Sequence, residues 1–420
     1  MTASDTPAPA PTVVVGAGII GAAVAFELQR RGRRVVMVDR EAPGRGASYG
    51  NMASIAVTEF LPSSRPSVWA QIPRWMLDPQ GPIRLRPSYL PRLTPWFLRF
   101  LAAGRPARVR ELEAAGAALC RRVYDDLLPL LAAVGATDML SEKGCLSLYA
   151  EDAELAADRE HLDVIRKFGI AHEVLDGKRL RALEPAISND IRHAVLFPDN
   201  RTISDPYVLV LALVRRFQAL GGHFRSGSVK GFERAEGRIR AVVLDGSLKI
   251  PCETLVVCAG AWTGRLAHLL DDSIPMETER GYHTQIMQPA TSLQHSLIWP
   301  ARAFMVSPTA GGLRVGGTVE MAGLEAPPDY RRAKVLVDRA KLALPALEAR
   351  DTTQWMGHRP ALPDTVPVIG PSGGTRGVYY AAGHGHLGLT YSATTARLVA
   401  DLVTNVPPPI AMAPYRVDRF

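Results

Sequence analysis

Cysteine is scarce in this chain: four in 420 residues, Cys120, Cys145, Cys252 and Cys258, with no Cys-x-x-Cys pair. That argues against a disulfide framework and favours free, mostly buried thiols in a reducing compartment. Cys258 sits inside the apolar run TLVVCAG, where a small core filler is expected. No stretch approaches the roughly 18 uninterrupted apolar residues that a membrane-crossing helix needs. The opening MTASDTPAPAP lacks the basic and apolar regions of a secretory signal, and its composition reads as a disordered tail over residues 1–11. The expected location is the cytoplasm.

Acidic residues are absent from one long stretch. Residues 79–110, PQGPIRLRPSYLPRLTPWFLRFLAAGRPARVR, hold seven arginines and neither Asp nor Glu. Such a patch suits an anionic partner. No nucleic-acid motif accompanies it, so nucleic acid is not expected. Thr94 and Pro95 read as a helix start, followed by an apolar face of Leu93, Trp96, Phe97, Phe100 and Leu101. A basic helix of this kind can lie on an anionic bilayer, peripheral on the inner face of the cytoplasmic membrane. The plainer alternative is a helix packed over an active site with its arginines in solvent.

What is present is ordinary in bulk. A hydrophobic fraction of 47% with 21% charged residues fits a globular protein, and 420 residues suit two domains. The first clear unit is β-α-β. TVVVG is a short β-branched strand, a helix follows over roughly 19–31 with Ile20, Val24 and Leu28 on one face, Gly32 stops it, and RVVMVD is the next strand. Residues 151–169 read as one charged helix. SDPYVLVLALVRRFQALGG reads as a helix with Ser204 or Asp205 as N-cap, Pro206 in its first turn and Gly221 at its exit.

The turn inside the first unit, GAGIIG, places Gly16, Gly18 and Gly21 at GxGxxG spacing, with Ala17, Ile19 and Ile20 between them. A tight turn, backbone approach to a pyrophosphate and close helix–sheet packing each call for one of these glycines. The helix N-terminus then offers free N–H groups to phosphate. Asp39 closes the second strand, beside Arg40, where an acid can accept from ribose hydroxyls. These features indicate a dinucleotide and leave NAD and FAD both open.

Further along come REAPGRGASYGNMASI, VVCAGAW, GLRVGGTVE, GHRPALPDTVPVIGP and YYAAGHGHLGLTYSATTARLVADLV. In this order the set resembles the D-amino-acid oxidase superfamily of FAD-dependent oxidoreductases, and within it the bacterial D-amino-acid dehydrogenases and relatives acting on D-hydroxyproline. The resemblance runs from about residue 12 to about 405. It implies an α/β fold: a Rossmann-like FAD-binding domain with an interleaved α+β substrate domain built on a mixed sheet. The expected division is 12–60, 200–270 and 355–405 for the FAD-binding domain, and 61–199 and 271–354 for the substrate domain.

The resemblance also assigns roles. Gly16, Gly18, Gly21 and Asp39 match the ADP-binding fingerprint. Ser48, Asn51, Met52 and Ala53 fall where the family meets the pyrophosphate–ribityl link and the ring. Val229 matches a strand residue touching adenine through its backbone, and Ala259, Gly260 and Trp262 match a turn beside the cofactor. The loop Gly383, His384, Gly385, His386, Leu387, Gly388, Leu389 and Thr390 corresponds to the one meeting the far end of FAD. A helix N-terminus aimed there would favour the negative charge of reduced flavin. No cysteine follows Cys258, so non-covalent FAD is expected. His384 and His386, two apart with no acid nearby, make a poor metal site, and no metal is expected. At least one of them is a candidate for lining the flavin ring or substrate pocket.

Arg359, in GHRP, matches the family's arginine for the substrate carboxylate, a task suited to a planar guanidinium. Oxidase relatives add a tyrosine to this clamp, and the corresponding position here is Phe304. Tyr282 and His283 are candidates to replace it. No acid–base residue stands out, and positioning is expected to carry catalysis. The implied reaction is oxidation of the Cα–N bond of a D-amino acid or cyclic D-imino acid by hydride transfer to flavin N5, with electrons passed to a quinone-type acceptor. An oxygen-using glycine- or sarcosine-type amine oxidase, a non-catalytic flavin-binding subunit and an NAD-dependent dehydrogenase are the alternatives.

Overall fold

The computed structural model describes residues 10–69, 81 and 83–420. The tail expected over residues 1–11 lies outside the described residues as far as residue 9. Two large sheets organise the rest.

The first sheet has six strands in the order His223–Ser226, Val35–Asp39, Thr12–Val15, Thr254–Val257, Val378–Ala382 and Val368–Pro371. All pairs are parallel except the last, where Val368–Pro371 runs antiparallel at the edge. Thr12–Val15 is buried throughout, as a central parallel strand covered on both faces must be. The helix Ile19–Arg30 packs against this sheet, the helix Pro206–Ala219 and the C-terminal helix Ser392–Val403. Gly32, at φ +82°, lets the chain leave the first helix in the left-handed region. Asp205 is the cap of the helix Pro206–Ala219: its Oδ1 accepts from the Tyr207 and Val208 amides at 2.8 and 3.3 Å.

The second sheet has nine strands. Its main order is Thr352–Ala361, Glu277–Ile286, Gly312–Met321, Phe304–Thr309, Ser296–Trp299, Cys145–Tyr149, His193–Phe197 and Glu173–Asp176, with Ile83–Leu85 added beside Gly312–Met321. It is mixed: the pairs Ser296–Trp299 with Cys145–Tyr149 and Ile83–Leu85 with Gly312–Met321 are parallel, and the others are antiparallel. The helix Arg331–Ala343 buries Ala333, Leu336 and Ala340 against it. Strand alternation then divides Glu277–Ile286 between two jobs. Arg280, Tyr282 and Thr284 face the helix side, while Glu279, Gly281 and His283 face the opposite way.

Three expectations need correction. Residues 355–361 belong to the second sheet, because Thr352–Ala361 pairs with Glu277–Ile286 over its whole length. The chain returns to the first sheet only after Ala361. The charged segment 151–169 is two helices, Asp152–Ala157 and Arg159–Lys167, divided at Asp158. The arginine-rich helix begins at Leu90, not Thr94, and runs to Ala103 with Pro91 in its first turn and Pro95 inside. Thr94 does not cap it; its hydroxyl donates to the Leu90 carbonyl at 2.8 Å. Leu93 and Phe100 are buried, and Trp96 stacks on Phe100 at 5.4 Å between ring centroids. The apolar face expected to meet a bilayer is therefore turned inward, with Arg92 and Arg99 left exposed. No helix among the described residues is long and apolar enough to cross a membrane.

Candidate active site

One continuous cavity of about 1260 Å³ is walled by both sheets. Gly16, Gly18, Ile19 and Ile20 of the first turn line it, and so do His384, Gly385, His386, Leu387, Gly388 and Leu389 of the last loop. Two segments at opposite ends of the chain thus face one space. Small-molecule sites occupy roughly 300–1000 Å³. A cavity of this larger volume suits a dinucleotide with a small substrate beside it.

At the N-terminal end the backbone is packed to its limit. A Cβ on Gly16 would lie 2.3 Å from the Cys258 carbonyl oxygen, and one on Gly21 1.8 Å from the Gly16 carbonyl oxygen. Gly21 and Ala17 serve this packing and are not on the wall. Asp39 accepts from the Ala17 amide at 2.7 Å and the Glu41 amide at 3.0 Å, and still faces the cavity. Ser48 accepts from the Ile19 amide at 2.9 Å. It supplies the cap that Gly18, having no side chain, cannot. Val229, Ala259, Gly260 and Trp262 line the same end, and the Arg40 guanidinium lies 4.0 Å from the Trp262 ring centroid. These are features an extended dinucleotide requires: a helix N-terminus, a close backbone and an acid at the ribose position.

Asn51 and Met52 line the middle. Ala53 does not; it is buried at φ +62°, its amide donating to Asn51 Oδ1 at 2.8 Å. The sequence reading missed Trp355. Its ring lies over Gly50 and Gly357, where added Cβ atoms would fall 2.0 and 1.8 Å from it, and stacks on His283 at 5.3 Å. Two glycines far apart in sequence carry no signal that one indole needs both.

At the far end Arg359 lines the cavity, its Nη1 donating to the Thr318 carbonyl at 2.9 Å. The guanidinium lies across Gly281, where a Cβ would be 2.4 Å from Arg359 Cζ. The Gly385 amide donates to the Pro360 carbonyl at 2.9 Å, so the C-terminal loop is tied next to Arg359. Within that loop Gly383 and Thr390 are off the main cavity wall: Gly383 packs on Leu362, and Thr390 accepts from the Ala56 amide. The helix Leu90–Ala103 closes this region with Leu93, Trp96, Phe97 and Phe100.

Burial disfavours the charged form of the histidines here. Burial lowers His283 to about 3, with Arg314 adding to the effect. Its Nδ1 lies 3.0 Å from the Gly50 carbonyl, which only accepts, so Nδ1 carries the proton. Burial lowers His384 to about 3, and its Nε2 is 3.0 Å from the Thr395 hydroxyl. Burial, aided by Arg280 and Arg40, lowers His358 to about 4. His386 is open to the cavity, and the mass of protein around it also lowers its pKa, against the pull of Glu59.

Two predicted substrate contacts are not where the sequence put them. Phe304 is buried in the second core against Trp299, and its neighbour Met305 lines the cavity. An offset of one residue along a strand exchanges its two faces. Tyr282 borders the cavity, yet its side chain belongs to that same core. Its hydroxyl donates to Glu320 at 2.5 Å and accepts from the Asp329 amide at 2.9 Å. Glu320 also takes Arg280 and Arg86, so the phenol is one member of a closed ionic network. A side-chain clamp from Tyr282 is therefore ruled out by its hydrogen bonds.

Known proteins resemble this chain over nearly its whole length. The sequence profile of the FAD dependent oxidoreductase (DAO) family matches residues 12–402. A D-amino-acid oxidase of Bradyrhizobium diazoefficiens is 34% identical over 414 residues, covering 97% of this chain and 98% of that protein. D-amino acid dehydrogenase 2 of Ralstonia nicotianae is 31% identical, covering 97% and 99%. Glycine oxidase from Geobacillus kaustophilus has a similar fold, with a TM-score of 0.74 at 22% identity over 97% of this chain and 98% of its own. With its first and last glycine segments on one cavity, and a match spanning nearly its whole length, the chain belongs to the DAO family of FAD-dependent oxidoreductases.

Proposed function

We propose that the chain is a dehydrogenase oxidising the Cα–N bond of a D-amino acid or cyclic D-imino acid such as D-hydroxyproline, with electrons passed to a quinone-type acceptor. The observation that carries this reading is Arg359, a guanidinium on the wall of the cavity that both glycine segments share. Gly16, Gly18, Asp39, Val229 and Gly260 would hold the adenosine and pyrophosphate. Ser48, Asn51, Met52 and the loop 384–389 would hold the ribityl chain and ring. Bound there without a covalent link, FAD supplies the acceptor for the substrate's hydride.

The protein's part is orientation and exclusion of water. Arg359, fixed by the Thr318 carbonyl, receives the substrate carboxylate and sets which face of Cα is presented. Leu93, Trp96, Phe97 and Phe100 close the site from above with apolar surface. His386, open to the cavity at the same end, would contact ring or substrate.

Anaerobic mixing with a panel of D- and L-amino acids, including hydroxyproline epimers, tests the reading through flavin absorbance. Bleaching by a D-compound is expected; bleaching by L-compounds alone, or by none, defeats it. The D-amino-acid oxidase among the relatives favours a second reading, an oxygen-using oxidase. Hydrogen peroxide formed in step with turnover would select it.

Gly281 gives a sharp test of the clamp. In Gly281→Ala the new methyl displaces the Arg359 guanidinium. We expect kcat/KM to fall about tenfold or more, the equivalent of roughly 1.4 kcal/mol, with flavin content unchanged. Wild-type kinetics in this variant would mean that the position of Arg359 is irrelevant.

A further inference from the structure

The site holds a charged group that the reading above leaves without a task. Glu279 lies directly opposite Arg359 in strand register, and both line the cavity. No ion pair within 4 Å joins them among the described residues, and the Glu279 carboxylate accepts no hydrogen bond there. The cause is visible. Arg359 is held flat over Gly281 by the Thr318 carbonyl, so it does not close on its neighbour. Opposite charges therefore stand side by side on one wall, each open to the cavity. A zwitterion carries the matching pair, carboxylate and ammonium on one carbon.

A second observation comes from Thr318. Its hydroxyl is buried, has no hydrogen-bond partner, and belongs to a residue of this same wall. A buried hydroxyl left unpaired is costly, and it stands on the residue whose carbonyl anchors Arg359. Behind Glu279 a second cavity of about 40 Å³ is lined by Glu59, Glu279 and His386, with room for a water molecule.

Resting on the function proposed above, we infer that Glu279 receives the substrate's amino group and takes the proton that the ammonium must lose. An N–H bond breaks, an O–H bond forms on Glu279, and the nitrogen lone pair is freed to assist departure of the Cα hydrogen. Burial raises the Glu279 pKa against the pull of Arg359, which suits a carboxylate meant to hold a proton. The titratable and charged groups around it are Arg359 on the neighbouring strand, Glu277 on its own, and Glu59 and His386 at the same end of the cavity.

The test uses FAD-loaded wild type, Glu279→Gln and Glu279→Asp. Two ligands are titrated by their perturbation of the flavin spectrum: benzoate, which has only the carboxylate, and an amino acid of the unreactive enantiomer. In Glu279→Gln the amino acid should bind about 10- to 100-fold more weakly, the range for hydrogen bonds to charged groups, with benzoate unaffected. Its kcat/KM should keep rising with pH up to the ionisation of the substrate amine, where wild type has levelled off. Glu279→Asp should restore part of both properties. Unchanged amino-acid affinity and pH profile would overturn the inference. Equal weakening of both ligands would overturn it too, since that marks damage to the Arg359 wall. Failure of wild type to bleach with any amino acid would instead count against the functional reading.

Discussion

Arg359→Leu is expected to lower kcat/KM by two to three orders of magnitude while leaving the protein yellow. Truncating one partner of a buried charged pair costs about 2–5 kcal/mol, and here the stranded partner is the substrate carboxylate. Part of the loss belongs to orientation: a substrate free to rotate no longer presents Cα–H in one direction. Arg359→Lys should recover little. An ammonium is a point charge, cannot make the two parallel hydrogen bonds of a guanidinium, and would not span from the Thr318 carbonyl to a ligand. The measurements are steady-state kinetics and the flavin-to-protein absorbance ratio. A leucine variant within threefold of wild type would remove Arg359 from substrate binding, and with it the observation on which the functional reading stands.

Gly21→Ala is the second large effect, and it acts at the other end of the cavity. The added methyl would sit 1.8 Å from the Gly16 carbonyl oxygen, a backbone atom that cannot move alone. To make room, the helix Ile19–Arg30 must draw away from the strand Thr12–Val15, and its N-terminus leaves the phosphate position. We expect most bound FAD to be lost and thermal stability to fall, because overpacking costs about 1–3 kcal/mol and the ligand's own contribution goes with it. Gly231→Ala is the control, since no atom lies within 4 Å of a Cβ there and its φ is ordinary. A yellow Gly21→Ala protein with unchanged melting would show that the turn tolerates looser packing.

Features written into neighbouring residues were legible in the sequence. Gly16, Gly18, Gly21 and Asp39 lie within one β-α-β unit, and the cap at Asp205 stands directly before Pro206. What escaped depended on partners remote along the chain. Ser48 caps a helix that starts 29 residues earlier. Trp355 needs Gly50 and Gly357 together. Glu279, between two other charged residues in METERGYH, carries no local sign that it faces a cavity. Phe304 was misplaced by a single residue, enough to exchange core for wall. The helix Leu90–Ala103 was expected to start at Thr94 and Pro95; it begins instead directly after the short 3-10 turn Pro87–Tyr89, with Pro91 in its first turn.

The order of strands in the first sheet has a consequence for biogenesis. Val378–Ala382 lies between Thr254–Val257 and Val368–Pro371, and the loop that follows supplies one end of the cavity. Synthesis must therefore have passed Leu389 before that wall exists. Seating of the flavin ring then waits for a molecule that has already paired its long-range strands, and such pairing is the slow part of folding. Truncation even a few turns short of the C-terminal helix should leave a nascent product with its nucleotide turn formed and nowhere to seat the isoalloxazine.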